Sequence, residues 1–323
     1  MKAISIKEPG GPEVLEWTEV EDPSPAAGEV VVDVVAGAVN RADVAQRMGW
    51  YPVPPGASPY PGLEVSGRIG AIGEGVTHWQ PGDEVCALLA GGGYAQKVAV
   101  PAGQLFRVPK GISLIEAAAL PEAAATVWSN VFMTGALKAG ETFLMHGGAG
   151  GIGAMAIQIA KAHGAHVVTT VGGPEQATKV RDLGADRAVN YRTEDFTAHG
   201  PYDVILDVIG GDYLQRNVHS LAPDGRLVVI GLQNGLEAEL NLAELLFKRA
   251  SVHGTTLRSR PTGQKAAIVT EAQDHVWPLI ENGSVQVVID RTLPMTEAAQ
   301  AHRILDSHHI GKIVLVNPDV AQR

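Results

Sequence analysis

Gly148, Gly150 and Gly153 stand at the spacing G-x-G-x-x-G, inside the run Phe143-Leu144-Met145-His146-Gly147-Gly148-Ala149-Gly150-Gly151-Ile152-Gly153-Ala154-Met155-Ala156-Ile157-Gln158-Ile159-Ala160. The apolar residues before the glycines read as a strand and those after them as a helix, the context in which this motif has a mechanism. Gly148 permits a tight turn, Gly150 lets backbone approach a pyrophosphate, and Gly153 lets the helix pack on the strand. The diphosphate then rests on the partial positive charge of the helix N-terminus. The loop Gly148, Ala149, Gly150, Gly151, Ile152 and Gly153 is therefore expected to bind a dinucleotide. About 20 residues further on, an acid would hold the ribose 2′-hydroxyl of NAD. The stretch Thr169-Thr170-Val171-Gly172-Gly173-Pro174 has none, so NADP(H) is preferred and NAD(H) possible, with Glu175 as an adverse charge. Lys179 reads equally as a phosphate ligand or as a solvated helix residue. His146 is expected to be a strand-end residue satisfied by backbone rather than a catalytic base.

Elements on both sides must hold this loop in place. Up to about residue 110 short β-rich runs alternate with turns, as in Glu29-Val30-Val31-Val32-Asp33-Val34-Val35 and Pro81-Gly82-Asp83-Glu84, which predicts a compact β domain. From Ser113 the texture becomes alanine-rich helix and then alternating strands and helices, the pattern of a parallel sheet covered on both faces. Strands are expected near 142–146, 166–171, 187–190, 204–207, 226–230 and 251–255, making a doubly wound domain. The boundaries expected are 1–118 for the β-rich domain, 119–276 for the dinucleotide domain, and 277–323 for a return to the first.

Composition narrows the function classes. The 323 residues are 45% hydrophobic and 19% charged, ordinary for a folded chain long enough for two domains. Thirty-five acids against 25 bases leave a formal charge of −10, which argues against nucleic acid as a partner. The single Cys86 excludes an intrachain disulfide and any metal site needing several thiolates. No apolar stretch is convincing as a membrane span, since even Phe143 to Ala160 carries seven glycines or polar residues, and the start does not resemble a signal peptide. A cytoplasmic protein is the expectation.

Segments spread along the chain resemble the medium-chain dehydrogenase/reductase superfamily, in its zinc-free quinone oxidoreductase branch, which includes zeta-crystallin. They are Lys7-Glu8-Pro9-Gly10-Gly11-Pro12-Glu13, Asn40-Arg41-Ala42-Asp43, Gly62-Leu63-Glu64-Val65-Ser66-Gly67, Gly91-Gly92-Gly93-Tyr94-Ala95, Leu120-Pro121-Glu122-Ala123, Leu257-Arg258-Ser259-Arg260 and Gly311-Lys312-Ile313-Val314. The resemblance implies an α/β chain with a GroES-like β-rich catalytic domain plus a Rossmann doubly wound parallel sheet. It places Asn40 and Thr126 beside the nicotinamide and Asp43 near the same cleft, Asn40 offering an amide and Thr126 a hydroxyl at the start of a helix. It points to Gly172, Gly173, Gln176 and Tyr191 for the adenosine end, and to Gly231, Leu232, Leu257 and Arg258 for the nicotinamide side. Tyr51 matches a cleft aromatic that could stack on a quinone and donate its hydroxyl. Asp43 reads equally as a structural cap. Gly173 and Gln176 depart from the hydroxyl residue and lysine that often clamp the 2′-phosphate, leaving Arg192 or Arg258 to compensate.

Zinc-dependent relatives hold their catalytic metal with Cys, His and Cys, at positions matching Asn40, Leu63 and Glu122; Leu63 cannot ligate, so no metal is expected. Without a Lewis acid the acceptor must itself be electrophilic, which selects a quinone or an enone. The reaction implied is NADPH-dependent quinone reduction, with Tyr51, Asn40 and Asp43 as the catalytic candidates. Reduction of an enone or enoyl double bond is the alternative, and a low-activity nucleotide-binding protein, crystallin-like or sensing, is the third. The resemblance also implies a homodimer paired through the last strand of the doubly wound sheet, Ser251 to Thr255.

Overall fold

The computed structural model describes residues 1–319; the last four residues of the expected return segment 277–323 lie outside the described residues. The β-branched runs near the N-terminus form β1 (Lys2–Ile6), β2 (Leu15–Glu19), β3 (Glu29–Ala38), β4 (Glu64–Ile72), β5 (Glu84–Leu88), β6 (Lys97–Pro101) and β7 (Leu105–Arg107), with helix α1 (Arg41–Arg47) after β3. Two helices follow, α2 (Leu114–Ala117) and α3 (Pro121–Val127), and the latter passes into a π-helical turn at Trp128–Thr134.

Strands and helices then alternate: β8 (Thr142–Met145), α4 (Gly151–Ala162), β9 (His166–Val171), α5 (Pro174–Asp182), β10 (Arg187–Asn190), β11 (Tyr202–Asp207), α6 (Tyr213–Ser220), β12 (Leu221–Val229), α7 (Leu242–Lys248) and β13 (Ser251–Gly254). The chain ends with α8 (Thr262–Glu281), β14 (Ile289–Pro294), α9 (Ala298–Leu305) and β15 (Lys312–Val316).

The first compact unit comprises Met1–Ala125, Leu257–Trp277 and the stretch from Ile289 onward. Its large sheet runs β14-β15-β3-β4-β5-β7, with β6 on the other half of β3. β15 joins antiparallel to β3, with Val314 opposite Ala38, so the end of the chain completes a sheet begun by its start. Val30, Val32, Val34, Val65, Val85, Leu105, Ile313 and Leu315 form its core. Most of these residues are β-branched, which suits a pleated, half-buried surface.

The second unit, Thr126–Thr256 with Pro278–Val288, holds a parallel sheet of order β10-β9-β8-β11-β12-β13. Leu144, Val168, Val189, Ile205 and Leu227, from five neighbouring strands, form its core. The order reverses at β8, and ligands of such sheets bind outside the carboxyl ends of the strands at that point. The glycine loop follows β8 directly. The expected α/β pairing of a β-rich sheet with a doubly wound parallel sheet is the one observed.

The boundaries differ from 1–118, 119–276 and 277–323. The first unit extends to Ala125 and takes back 257–277, while 278–288 belongs to the second. Side-chain chemistry decides both segments. Trp277 stacks on Phe106 at 4.5 Å between ring centroids and donates through Nε1 to the carbonyl of Arg107 at 2.5 Å. Gln158 on α4 exchanges two bonds with the backbone of Gln286, at 3.1 and 2.8 Å, which holds the next segment to the parallel sheet's own helix.

Candidate active site

In the second unit the glycines divide their work differently from the expectation. The left-handed turn falls on Gly147, at φ +76°, a conformation that favours glycine. A Cβ on Gly148 would lie 2.0 Å from Thr169 Oγ1, and one on Gly153 would lie 2.4 Å from the carbonyl of Gly147. Those two glycines thus let β8, β9 and α4 close on each other. Gly150 is different: a Cβ there would meet only the Gly147 carbonyl, at 3.7 Å. Nothing in the protein requires glycine at that position, whereas backbone approach to a pyrophosphate does. Gly150 is also the N-cap of α4 and supplies no side-chain cap, so the first N–H groups of the helix, from Gly151 and Ile152 onward, are left for an anion. Ala149 is buried beside them. The residues fit a dinucleotide.

At the end of β9 the structure gathers the residues expected to meet the adenosine. The Gly172 N–H donates to Gln176 Oε1 at 2.9 Å, and a Cβ on Gly172 would lie 3.1 Å from the Tyr191 hydroxyl. Gly173 faces open space, and the Arg192 guanidinium lies 5.9 Å from the Tyr191 ring centroid. Gly231 packs its Cα against the Val208 carbonyl, keeping the ends of β11 and β12 together, and Leu232 beside it is half-exposed. Lys179 is exposed on α5. His146 is buried with Nε2 2.7 Å from Asn217 Oδ1 and Nδ1 3.3 Å from Thr170 Oγ1, so its ring is satisfied by side chains, where backbone was expected. Burial pushes its pKa down and keeps it neutral. Thr126 is buried near the end of α3, not at a helix start, and its carbonyl accepts from Asn130 Nδ2 at 2.8 Å just before the π-helical turn.

The first unit holds the other candidates. Asn40 caps α1 in a capping box with Asp43, whose Oδ2 accepts the Asn40 N–H at 2.8 Å. Its amide is fully engaged. Nδ2 donates to Glu64 Oε1 at 2.9 Å and to the Ala38 carbonyl at 3.3 Å, while Oδ1 accepts from Lys312 Nζ at 2.7 Å. Lys312 also binds Glu64 Oε1, and Glu64 Oε2 accepts the Glu122 N–H at 2.9 Å. Both donors of Asn40 bond to the protein, and the residue positions its neighbours.

Asp43 is held in a similar way. It is fully buried and accepts from Asn40, from the Gly62 N–H at 3.0 Å and from the Tyr94 hydroxyl at 3.0 Å. Burial pushes its carboxyl up to about 6 in spite of those donors. Tyr94 also meets His302 Nε2 at 3.3 Å, and His302 Nδ1 lies 3.1 Å from an Arg47 nitrogen. Burial, reinforced by Arg47 and Arg41, pushes the His302 pKa down to about 3.

Tyr51 lies beneath the Arg258 guanidinium, 5.2 Å from its ring centroid. Arg258 donates Nε–H to the Ala90 carbonyl at 2.8 Å and Nη2–H to Gln46 Oε1 at 2.6 Å, and Leu257 is buried next to it. The guanidinium is thus built into the first unit, which leaves Arg192 as the base beside the adenosine residues. The Glu122 carboxyl is pushed up to about 8, by burial first and by the nearby Glu64 second.

Glu64, Lys312, Tyr94 and His302 were not foreseen. Glu64 and Lys312 do carry a signal: each is a charged residue at the start of a β-rich run, and a charge on a core face must find a partner.

The sequence matches the family model "Alcohol dehydrogenase GroES-like domain" over residues 26–110 and "Zinc-binding dehydrogenase" over residues 151–274. A quinone oxidoreductase of Rattus norvegicus is 33% identical over 98% of both chains. The chain belongs to the zeta-crystallin-like quinone oxidoreductase branch of the medium-chain dehydrogenase/reductase superfamily. A 2-haloacrylate reductase of Burkholderia sp is 31% identical over 97% of this chain and 98% of its own. The solved structure of the Escherichia coli quinone oxidoreductase complexed with NADPH superposes with a TM-score of 0.86 at 32% identity, over 98% of this chain and all of that one. The protein is an NAD(P)H-dependent oxidoreductase, and among the described residues no helix is long and apolar enough to cross a membrane.

The superfamily also contains zinc enzymes, and the residues here do not fit that metal. Of the matching positions, Leu63 is a buried hydrocarbon and Asn40 is held by Glu64 and Lys312. Cys86 is buried, and desolvation pushes its thiol far up, against the thiolate form that binds metal. Among the described residues no group of three or more His, Cys, Asp or Glu side chains could hold a metal ion.

Two outcomes follow from the buried network. Lys312→Met leaves Glu64 charged and unpaired and is expected to destabilise by about 3–5 kcal/mol in urea unfolding, whereas adding Glu64→Gln recovers much of that loss. For His302, the folded pKa lies below the unfolded value near 6.5, so the unfolded chain binds the extra proton as pH falls. The stability it contributes is complete above about pH 6.5 and is lost on acidification, by about 2 kcal/mol over 1.5 pH units. His302→Gln should flatten that limb of the profile; an unchanged slope would assign the acid sensitivity elsewhere.

Proposed function

We propose that the protein reduces quinones with NADPH and without a metal ion, in the cytoplasm and as a homodimer. The observation that carries this reading is the filling of the metal position by Leu63 and the Asn40–Glu64–Lys312 cluster. With no donor set for a Lewis acid, the acceptor has to be electrophilic on its own account, as a quinone or conjugated enone is. The dinucleotide, when bound, supplies a hydride. The glycine loop and the α4 N-terminus hold its diphosphate, and Tyr51 offers an aromatic face and a hydroxyl to the acceptor. NADPH is favoured over NADH because no carboxylate ends β9 and Arg192 stands at Tyr191.

Turnover of NADPH with 1,4-benzoquinone, followed by the loss of its absorbance, is expected to be the same with and without EDTA. No turnover with any quinone or enone sinks the proposal. In the same assay Arg192→Ala should weaken NADPH by about tenfold, roughly 1.4 kcal/mol, and leave NADH unmoved. An equal effect on both would remove Arg192 from phosphate recognition.

A second reading, reduction of a conjugated carbon–carbon double bond, is favoured by the kinship with a 2-haloacrylate reductase. It makes Tyr51 a proton donor, and Tyr51→Phe should then slow enone reduction far more than quinone reduction.

For the assembly, β13 ends its sheet and so has an unpaired edge, and α7 just before it exposes Leu242, Leu246 and Phe247, the last at 79%. A free strand edge beside an apolar helix face suits isologous pairing with a second copy. Phe247→Glu should yield monomers by sedimentation equilibrium; a wild-type monomer rules the dimer out.

A further inference from the structure

Four buried cations of the first unit, Arg47, Lys312, Arg258 and Lys265, differ in how they are neutralised, Arg47 meeting the Gly10 carbonyl and His302. Lys312 has the Glu64 carboxylate. Arg258, 3% exposed, and Lys265, 6% exposed, have no carboxylate oxygen within 4.0 Å among the described residues. Two nitrogens of Arg258 are tied to the Ala90 carbonyl and to Gln46. The third, Nη1, is buried without a hydrogen-bond partner. Lys265 Nζ makes a single long contact, 3.4 Å to the Arg258 carbonyl, which sets its ammonium beside the same residue.

A buried cation with no carboxylate in contact is costly, since Asp43 and Glu122 attract Arg258, and Glu122 attracts Lys265, only from beyond 4.0 Å, and a guanidinium nitrogen with both hydrogens unmet adds a desolvation penalty that folding does not repay. Burial accordingly pushes the pKa of both groups down. Other arginines in the chain show the usual remedies. Arg226 meets Glu141 and two carbonyls, and Arg47 meets a carbonyl and His302. Arg258 is held by Ala90 and Gln46 on one side and leaves the buried Nη1 without a hydrogen-bond partner, which suits an anion-binding residue. Tyr51, the aromatic expected to meet the acceptor, lies against this guanidinium, so the unpartnered nitrogen belongs to the acceptor's surroundings.

We infer that Arg258 Nη1, with Lys265 behind it, holds a carboxylate carried by the acceptor, so that conjugated acids are preferred over their uncharged counterparts. This rests on the reading that the site reduces conjugated acceptors, and it adds the charge of the substrate to it. A carboxylate supplies a negative charge in contact with the pair and lone pairs for a planar donor. A neutral quinone offers the lone pairs without the charge.

The test compares benzoate with benzamide, which share shape and differ in charge. On protein loaded with NADP, calorimetry should show benzoate binding at least about tenfold more tightly than benzamide, a ratio in which effects on the cofactor cancel. Arg258→Met should bring the ratio to near one, Arg258→Lys should retain part of it, and Lys265→Met should reduce it. Equal binding of benzoate and benzamide by the wild-type protein overturns the inference, whatever the variants do. So does a ratio unchanged in a folded Arg258→Met protein. Turnover of 1,4-benzoquinone is measured in parallel. Quinone turnover with no preference for benzoate defeats the inference alone, and benzoate preference without turnover of any quinone or enone defeats the functional reading alone.

Discussion

The ammonium of Lys312 lies inside the first unit, where an isolated charge would cost several kcal/mol, and Glu64 and Asn40 are the groups that make it tolerable. The three residues open β15, open β4 and cap α1, so one buried contact ties together segments 24 and 272 residues from Asn40 or its partner. The second oxygen of Glu64 holds the Glu122 N–H at the start of α3, the helix through which the chain leaves for the parallel sheet. The capping box at Asn40 draws in Asp43, and Asp43 draws in Tyr94 and His302. A single ion pair thus sits at the root of the polar interior from which the candidate site is built.

At Asn40, one of the positions that match the metal ligands of zinc relatives, the amide is held by Glu64 and Lys312. A divalent cation would polarise an acceptor oxygen directly; Lys312 carries one charge and spends it on Glu64 and Asn40. In the parallel sheet the division of labour among the glycines is equally physical. Gly147, Gly148 and Gly153 answer to the backbone and to neighbouring strands, while only Gly150 has space that the protein itself does not need.

Much of the fold was legible because it depends on local periodicity. The strands of the doubly wound sheet fall where alternation and apolar runs put them, from Thr142–Met145 to Ser251–Gly254, and the glycine motif lies at the turn after the first of them. The division into units was not legible in the same way. Residues 262–281 form one helix, and its amphipathic pattern does not say which sheet it serves. Trp277 on Phe106 and the paired bonds between Gln158 and Gln286 decide that, and both are contacts between segments more than 100 residues apart.

The site shows the same limit. Motif and resemblance named Asn40, Asp43, Tyr51 and Arg258 as site residues, but residue type states only what a group can donate or accept. Whether it is free to do so depends on partners from elsewhere in the chain. Asn40 and Asp43 bond to Lys312, Glu64, Gly62 and Tyr94, whereas Arg258 has one buried nitrogen without a hydrogen-bond partner. By itself the sequence determined the two-sheet architecture, the dinucleotide loop and the lack of a thiolate ligand set, since each follows from local pattern or from counting. Which polar groups are spent and which remain for a ligand was decided only by the tertiary structure, because a buried hydrogen bond is a property of two residues and folding alone brings them together.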